Sequence, residues 1–283
     1  MRRRLWWDRP PWRRGQGLGD VAHWLRDKHT FRSREDPDEV WRCCPYWQRT
    51  LLQKWNSREF ASKHGCRVPE LYWHGGPFSR PPLESLPDHF VVRSVRGAAR
   101  RGVLVVSNGR ELLRQQSATE PVLRRRLSRL RRLRYPSRLS YPTTVLIEEF
   151  VRDGDSGYRL PLEYKCHVFA ESVAAISVTD RASVKKATHR FYTPGWESFQ
   201  DPMNVGLPQG EIRDSPACLE EMLRQASTLG AQLQTYMRID FFATDRGCVF
   251  NEFASLPGDG LGWTPYCNDL FGALWAERFP DAA

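Results

Sequence analysis

Apolar residues recur along the chain at two spacings, one typical of helices and one typical of strands. Spacings of three and four residues predict the helices. One helix is predicted to begin after Ser215, because serine is a favoured N-cap and Pro216 suits the first helical position. The predicted helices are 46–63, 109–118, 120–134, a segment from Ser215 to Leu233, and 268–278.

Short apolar runs that end at glycine, proline or polar residues predict the strands. HFVVRSV and GVLVVS flank a short loop, TTVLIEEFV is a further strand, and EYKCHVFAESVAAISVTD is a hairpin or meander. GCRVPELYWHGG is a strand that enters a glycine turn. Hairpins of this kind, without a regular alternation of strand and helix, predict the α+β fold class.

The most informative stretch is MRIDFFATDRGCVFNEFASLPGDG, residues 237–260. IDFFA and CVFNEF alternate like strands, and DRG between them predicts a three-residue loop with glycine at positive φ. With that loop Thr244 faces Cys248, and counting by twos along both strands places Asp240 opposite Glu252. A two-residue loop would put the two acids on opposite faces. The other face of the hairpin is predicted to be buried, because it carries Ile239, Phe241, Ala243, Val249 and Phe253.

The composition is that of a globular protein with a substantial core. Of the 283 residues, 40% are hydrophobic and 12% are aromatic. No apolar run reaches the roughly 18 residues of a membrane span, and the N-terminal stretch lacks the apolar segment of a signal peptide, so a cytoplasmic location is expected. The seven cysteines lack zinc-ligand spacing, so neither disulfides nor a structural zinc are predicted.

The net charge of +10 is unevenly distributed along the chain. Much of the excess lies in a basic N-terminal arm rich in Trp and Arg and in the predicted helix 120–134, which has a leucine stripe and an arginine-covered surface. Two interpretations of these charges are open: a solvated surface, or contact with a polyanion or an anionic membrane at its inner face. Nucleic acid is disfavoured, because no nucleic-acid-binding module accompanies the charge.

Candidate chemistry begins with the two carboxylates of the hairpin. Hard oxygen ligands side by side suit Mg²⁺ that keeps waters and phosphate oxygens, so Asp240 and Glu252 predict a magnesium site and a nucleotide. In VVRSVRGAARRGVLVV, Gly97 and Gly102 flank a loop whose backbone N–H groups are suited to cradle phosphates. VLIEEFV is an apolar strand that ends in acids, a pattern suited to an adenine slot.

Taken in order from about Lys54 to Gly272, these motifs resemble the ATP-grasp superfamily. The resemblance is carried by LLQKWNSREFASKHGCRVPELY, FVVR, IEEFV, and RIDFF with NEFASLPG. EYKCHVF, HRFYTPGW and the small size are most similar to the TupA-like branch of teichuronopeptide biosynthesis. The resemblance implies the ATP-grasp fold, in which two α+β subdomains hold ATP between antiparallel sheets.

The resemblance implies nucleotide-binding roles. Lys54 stands at the first ATP-binding lysine, Arg93 at the second, and Glu148 at the acid that meets the adenine amino group. Lys165 points the same way along its strand as Glu163, toward the phosphates; its other interpretation is a surface lysine. The further implied nucleotide-binding residues are Gly97 and Gly102 at the phosphates, Glu149 and Val151 at the adenine, and Glu163 at the ribose.

The resemblance also implies the catalytic groups and the reaction. Asp240 and Glu252 become the Mg²⁺ ligands, and Arg238 the group that meets the transferred phosphoryl. A substrate carboxylate attacks the γ-phosphate of ATP, and an amine then opens the acyl phosphate to an amide. PGDGLGW is the implied acceptor-binding loop, with Gly258, Asp259 and Gly260 as the substrate-binding residues.

Three departures from the family pattern bear on activity. Arg93 replaces a lysine, which keeps the charge and changes the donor geometry. The phosphate loop has Ala98, Ala99 and Arg100 where serines are usual. Ala254 stands where many members carry a third metal ligand, so the pattern predicts at least one Mg²⁺ and leaves the second open.

The expected organisation has four segments, and the expected function is a carboxylate–amine ligase that acts on a cell-surface polysaccharide or peptide precursor. Two other functions stay open. A phosphotransferase would leave the phosphate on a hydroxyl and need no amine, and a non-catalytic module would bind a polyanion without consuming ATP. The segments are a loosely ordered arm (1–38), an N-terminal segment (39–88), the subdomain of the phosphate loop and hinge (89–151), and the subdomain of the metal-binding hairpin (152–283).

Overall fold

The computed structural model describes residues 32–44, 46–76, 79–95, 102–130, 144–153, 157–183, 186–255 and 262–280. Several predictions of the sequence analysis fall outside these ranges. They are most of the basic arm 1–38, the end of the predicted helix 120–134, and the residues Gly97, Gly258, Asp259 and Gly260.

The strands of the described chain form two antiparallel sheets, which confirms the α+β fold class. The first sheet has the order β1-β6-β2-β3-β4-β5 and the second has the order β11-β10-β7-β8-β9. The first contains β1 (Leu71–Gly75), β2 (His89–Ser94), β3 (Val103–Ser107), β4 (Arg110–Glu111), β5 (Gln116–Ser117) and β6 (Val145–Glu149). The second contains β7 (Glu163–Phe169), β8 (Ser172–Arg181), β9 (Ala187–Tyr192), β10 (Tyr236–Thr244) and β11 (Gly247–Ala254).

Helices cover both sheets. The α-helices of the described residues are α1 (Asp38–Trp41), α2 (Lys54–Lys63), α3 (Glu120–Leu130), α4 (Leu219–Leu233) and α5 (Pro265–Arg278), with 3₁₀ helices at Trp47–Leu52 and Leu83–Ser85. On one face of the second sheet, α4 packs together with α2 and its flanking aromatic residues, while α5 packs on the other face. In the first sheet α3 covers one face through Leu123 and Leu127. None of these helices has the length and apolarity that a membrane span requires.

The segment before β2 contributes to both sheets. β1 completes the edge of the first sheet beside β6, whereas α2 packs against β11 of the second sheet through Phe60, which contacts Phe253 at a ring-centroid distance of 6.1 Å. Residues 39–88 therefore tie the two sheets together.

The β10–β11 hairpin pairs Asp240 with Glu252, as predicted, but through a different register. Thr244 pairs with Gly247 rather than facing Cys248, so the closing pair lies one residue earlier on β11 than expected. A register shift between Asp240 and Phe241 then leaves Asn251 as an extra residue on β11, which is a β-bulge.

The bulge reverses the alternation of side chains along β11: even-numbered residues point to the core before Asn251, and odd-numbered residues do so after it. Cys248 and Phe250 therefore lie in the core with Ile239 and Phe241, and the prediction that Val249 belongs to this face was wrong. After Asn251 the side chains point as predicted: Phe253 lies in the core, and Glu252 lies on the same face of the sheet as Asp240.

The interior of α4 requires glycine at one position. A Cβ atom on Gly230 would lie 1.9 Å from the carbonyl oxygen of Ala170, which is backbone and has little room to move. The absence of a side chain at Gly230 therefore allows α4 to approach the β7–β8 turn closely.

Four helix predictions were wrong in their bounds or type, one of them because α5 begins at Pro265 rather than near residue 268. Residues 109–118 form β4 and β5 rather than a helix, because the buried Glu111 carboxylate accepts hydrogen bonds from the backbone N–H groups of Leu113 and Arg114 and fixes a turn. The predicted helix 46–63 is interrupted at Gln53, and α4 begins at Leu219, three residues after Pro216.

Candidate active site

A row of charged residues crosses the second sheet on the face opposite the α4 core. In this row Asp240 of β10 lies between Lys165 of β7 and Glu252 of β11. Because side chains alternate along a strand, the adjacent Ile239 and Phe241 enter the core while Asp240 and Arg238 share the charged face. The predicted metal ligands and the predicted phosphoryl-binding arginine are thus brought together.

Asp240 is buried and is held by Arg238. The Nε and Nη2 atoms of Arg238 donate to the two Asp240 carboxylate oxygens, each at 2.7 Å, and Lys165 Nζ lies 3.8 Å from Oδ2. Burial raises the pKa of Asp240, and the Arg238 guanidinium opposes that shift. The bidentate pair fixes the planes of both groups.

Glu252 is surrounded by three cations. Its Oε2 lies 3.2 Å from Lys54 Nζ and 3.4 Å from Arg93 Nη2, and its Oε1 lies 3.8 Å from Arg238 Nη2. Burial disfavours the charged form of Glu252, but these cations outweigh it and lower its pKa to about 2. Burial lowers the pKa of Lys54, an effect that Glu252 partly offsets.

Arg93 joins the first sheet to the second. It is the penultimate residue of β2, yet both of its Nη atoms donate to the backbone oxygen of Asn251, each at 3.2 Å. Asn251 is the bulge residue of β11, so the bulge exposes the carbonyl that Arg93 binds. The arginine at this position therefore makes forked contacts for which a lysine lacks the geometry.

Glu148 is buried between two guanidinium groups. Its Oε1 accepts a hydrogen bond from Arg58 Nη1 at 3.2 Å, and its Oε2 lies 3.6 Å from Arg93 Nη1. Arg58 was missed by the sequence analysis. Its position on α2, one turn after Lys54, is the signal that would have placed it on the same side of the helix.

Glu149 faces the opposite side of β6 from Glu148. Its carboxylate contacts Arg246 in the β10–β11 turn and accepts a hydrogen bond from the backbone N–H of Glu70 at 3.1 Å. The structure thus places Glu149 at a contact between the two sheets, away from Arg93. Val151, two positions after Glu149 along the chain, is buried. The carbonyl of Gly102 accepts a hydrogen bond from Ser94 N at 2.7 Å.

Glu163 at the start of β7 contacts two cations. Lys165 pairs with one carboxylate oxygen, and Arg181 Nε lies 3.3 Å from the other. Burial disfavours the charged form of Glu163, but Lys165 and Arg181 outweigh it and lower its pKa to about 2. Arg181 was also missed, because no motif marks the end of β8.

An apolar patch adjoins the charged groups of the first sheet. Val91 lies on the same face of β2 as Arg93, because the two residues are two positions apart along the strand. Val91 packs against a small cluster of Val105, Leu113 and Phe150, together with Val103 and Leu160. This patch borders the segment that leaves β6 toward β7.

Among the described residues, six cations and four carboxylates of the site form one connected network, and Glu59, which lies 3.7 Å from Arg58, reduces the excess of cations over carboxylates to one. Each successive member contacts the next at no more than 3.8 Å. The cations are Arg58, Lys54, Arg93, Arg238, Lys165 and Arg181, and the carboxylates are Glu148, Glu252, Asp240 and Glu163. An excess of positive charge in a partly enclosed site favours a polyanionic ligand.

The donor set of Asp240 and Glu252 fits one hard divalent cation that is also coordinated by water and ligand oxygens. In the described part of the chain, no three His, Cys, Asp or Glu side chains are grouped to hold a metal. Ala254 pairs with Arg238 and contributes only a methyl group. Among the described residues, the site therefore offers the two carboxylates of Asp240 and Glu252 as protein ligands for a single ion.

Comparisons with known proteins identify the family and the fold. Residues 50–271 match the TupA-like ATP-grasp family. No curated protein is detectably similar in sequence.

Solved structures provide the comparison of the fold. D-Alanine–D-alanine ligase from Bacillus anthracis complexed with ATP superposes with a TM-score of 0.52 at 15% identity, covering 84% of this chain and 67% of the ligase. The same ligase in a second structure gives 0.50 at 17% identity and the same coverage. D-Cycloserine synthetase DcsG gives 0.47 at 16% identity, covering 82% of this chain and 71% of the synthetase. The fold is that of the ATP-grasp ligases, and the chain belongs to the TupA-like ATP-grasp family.

Proposed function

We propose that the protein is an ATP-dependent ligase that joins a carboxylate to an amine through an acyl phosphate. The observation that carries this proposal is the Asp240–Glu252 pair, contacted by cations from both sheets. A carboxylate pair alone would repel a triphosphate. The cation excess of the network offsets that repulsion, and Mg²⁺ at the pair would complete the neutralisation.

The nucleotide is proposed to lie between the two sheets. The apolar patch around Val91 and Phe150 is suited to the adenine ring, because ligand sites combine apolar walls with a few oriented polar groups. Glu148 and the backbone near Val151 border this patch. Lys54 and Arg93 are placed for the phosphates, since both already contact Glu252 at the metal pair.

Mg²⁺ bound by Asp240 and Glu252 would supply positive charge beside the phosphate oxygens. Arg238 contacts both carboxylates, Asp240 at 2.7 Å and Glu252 at 3.8 Å, so it is proposed to contact the transferred phosphoryl group. In the first step a substrate carboxylate oxygen bonds to the γ-phosphorus and the bond to ADP breaks. In the second step the amine nitrogen bonds to the acyl carbon, phosphate leaves, and the nitrogen loses a proton.

The contribution of this chain is orientation and charge. Arg238 is held by two hydrogen bonds of 2.7 Å to Asp240, so it need not reorganise when charge develops on the phosphoryl oxygens. Lys54 comes from α2 and Arg93 from the first sheet, and both already contact Glu252 of the second sheet, so the proposed phosphate site is assembled from both parts of the fold.

The acid and the amine are proposed to be small molecules or precursors of a surface polymer or peptide. Their binding is proposed, from the sequence alone, for Gly258, Asp259 and Gly260, which follow β11 along the chain. D-Alanine–D-alanine ligase, whose name describes the joining of two amino acids, shares the fold and supports a ligase over a phosphotransferase.

The proposal is tested by a screen of amino acids and uronic acids with ATP and Mg²⁺, in which ADP and free phosphate are measured separately. A ligase releases both in equal amounts, and only when an acid and an amine are present. ADP without free phosphate would indicate transfer to a hydroxyl. No turnover with any pair, together with salt-sensitive binding of polyanions, would indicate a non-catalytic module.

A further inference from the structure

Three cations each contact one carboxylate oxygen of the metal pair, Asp240 and Glu252. Lys54 Nζ lies 3.2 Å from Glu252 Oε2, and Arg93 Nη2 lies 3.4 Å from the same oxygen. Lys165 Nζ lies 3.8 Å from Asp240 Oδ2. Carboxylate oxygens are also the groups through which a divalent ion binds. The same oxygens therefore serve two kinds of cation, those of the protein and a metal ion.

Arg238 contacts the metal pair in a different way. Its Nε and Nη2 atoms donate to the two oxygens of Asp240, each at 2.7 Å, and these paired hydrogen bonds fix its orientation. Lys54, Arg93 and Lys165 contact their carboxylates with one nitrogen each, at 3.2 Å or more. Their contacts with the pair are therefore the weaker ones, and these three are the cations that an anionic ligand can draw away.

Two of the three cations have other partners beside the metal pair. Arg93 donates to the Asn251 carbonyl from both Nη atoms at 3.2 Å, and Lys165 pairs with Glu163. These contacts do not involve the metal pair, so they would hold both cations beside the site when the carboxylates bind a metal ion. Both cations could then contact the phosphates of a nucleotide.

A divalent ion that binds without a nucleotide would be repelled by the same cations. At about 2.1 Å from Glu252 Oε2, Mg²⁺ would lie roughly 5 Å or less from Lys54 Nζ. Repulsion between charges of +2 and +1 at that distance weakens metal binding about 10-fold even at the dielectric constant of water. The phosphates of ATP would remove this repulsion, because their negative charge can pair with the cations.

We propose that Lys54, Arg93 and Lys165 are exchangeable partners of the metal pair, which pass from the carboxylates to the nucleotide phosphates when the metal ion binds. Metal and nucleotide then bind with positive coupling, and this coupling is reciprocal. Mg²⁺ alone is expected to bind weakly, because the protein cations would lose their carboxylate partners and gain no others. This inference rests on the proposed function, since it takes the phosphates to lie at Lys54 and Arg93.

The test measures two dissociation constants of the full-length protein. The Kd of Mn²⁺, a probe for Mg²⁺, is measured without nucleotide from the electron paramagnetic resonance signal of the unbound ion. The Kd of ATP is measured in EDTA by displacement of a fluorescent ATP analogue. Lys54→Met is expected to lower the Kd of Mn²⁺ about 10-fold, because it removes the repulsion. It is expected to raise the Kd of ATP about 10-fold or more, because it removes a hydrogen bond between charged groups.

Lys63→Met is the matched control. It removes one positive charge from the other end of α2, roughly 13 Å along the helix axis from Lys54, where Lys63 pairs with Asp38. Because this distance exceeds the Debye length, both constants should stay within about threefold of the wild-type values. Lys165→Met is a second test, because it removes the contact with Asp240, and it should shift both constants in the same directions as Lys54→Met.

Unchanged or weaker Mn²⁺ binding in both Lys54→Met and Lys165→Met would overturn this inference, because these lysines would then not compete with the metal. An equal gain in Mn²⁺ affinity for Lys63→Met would also overturn it, because the gain would be a general effect of net charge. If the wild-type protein binds no ATP, with or without Mg²⁺, the proposed function fails together with the nucleotide half of this inference. The Mn²⁺ measurements test the metal half separately.

Discussion

Asp240 lies opposite Glu252 because the extra residue Asn251 bulges out of β11. Without the bulge, the pairing that starts at Thr244 and Gly247 would turn Glu252 to the core face. The bulge also presents the Asn251 carbonyl to Arg93 of the other sheet. The bulge therefore keeps the metal pair aligned in spite of the extra residue, and it anchors the first sheet to that pair.

Deletion of Asn251 is predicted to keep Glu252 opposite Asp240, because the pairing then continues regularly from Phe241 and Phe250, but to lower stability and ATP turnover, because it removes the bulge carbonyl that Arg93 binds. Asn251→Ala is the matched control, since it keeps the inserted residue and the backbone carbonyl. It should retain turnover within about threefold, as is usual for substitutions that leave the contacts in place. Stability and turnover that are the same in the deletion variant and in Asn251→Ala would show that the contact of Arg93 with the bulge is not needed.

Arg93→Met is predicted to destabilise the protein by about 3 kcal/mol, because it leaves the buried Glu148 with Arg58 as its remaining cation. Arg93→Lys should lower the free energy of unfolding by less, because lysine keeps the positive charge and loses only the paired hydrogen bonds to the Asn251 carbonyl. Urea unfolding measures both. In the Glu148→Gln background the effect of Arg93→Met should shrink, and full additivity of the two substitutions would rule out this coupling.

Gly230→Ala is predicted to destabilise the protein by more than 1 kcal/mol, although alanine is the better helix former. The added methyl would meet the Ala170 carbonyl oxygen at 1.9 Å. Thermal unfolding at matched concentration measures the effect. Thr228→Ala, at an exposed position of the same helix, should change stability by less than about 0.5 kcal/mol, and a similar change at both sites would argue against the close approach.

Stability is predicted to fall on acidification from about pH 4.5 toward pH 2. The pKa values of Glu163 and Glu252 are lowered from 4.5 to about 2 in the folded protein, so the unfolded state binds more protons in this range. The stabilisation is complete above pH 4.5 and is lost as the pH approaches 2. Urea unfolding at several pH values should show a shallower pH dependence for Glu163→Gln, and an unchanged slope would contradict the assigned shift.

Local sequence patterns predicted most of the strands and the face of β10 that carries Arg238 and Asp240. Alternation along β10 and the glycine at φ +97° in the turn were readable because they depend on nearest neighbours. The bulge at Asn251 was not predicted, because a single inserted residue leaves the alternation of each half intact. The pairing of Asp240 with Glu252 was right only because the closing pair at Gly247 and the bulge shift the register in opposite directions.

Long-range contacts account for the residues that the sequence missed. Arg58 and Arg181 carry no motif, and their roles depend on the packing of α2 against the second sheet and on the length of β8. The turn between β4 and β5 was mistaken for a helix, because the hydrogen bonds of the buried Glu111 carboxylate override the local helical pattern. Tertiary contacts decided each of these cases.

The most direct test of the account is the release of ADP by wild-type protein and by Asp240→Asn and Arg238→Met, with Mg²⁺, ATP and a productive acid and amine pair. The account predicts equal release of ADP and phosphate by the wild type and a loss of about 100- to 1,000-fold in kcat for each variant, with the folded state retained. ADP release that is the same in wild type and Asp240→Asn would contradict the assignment of Asp240 and Glu252 as the centre of ATP chemistry.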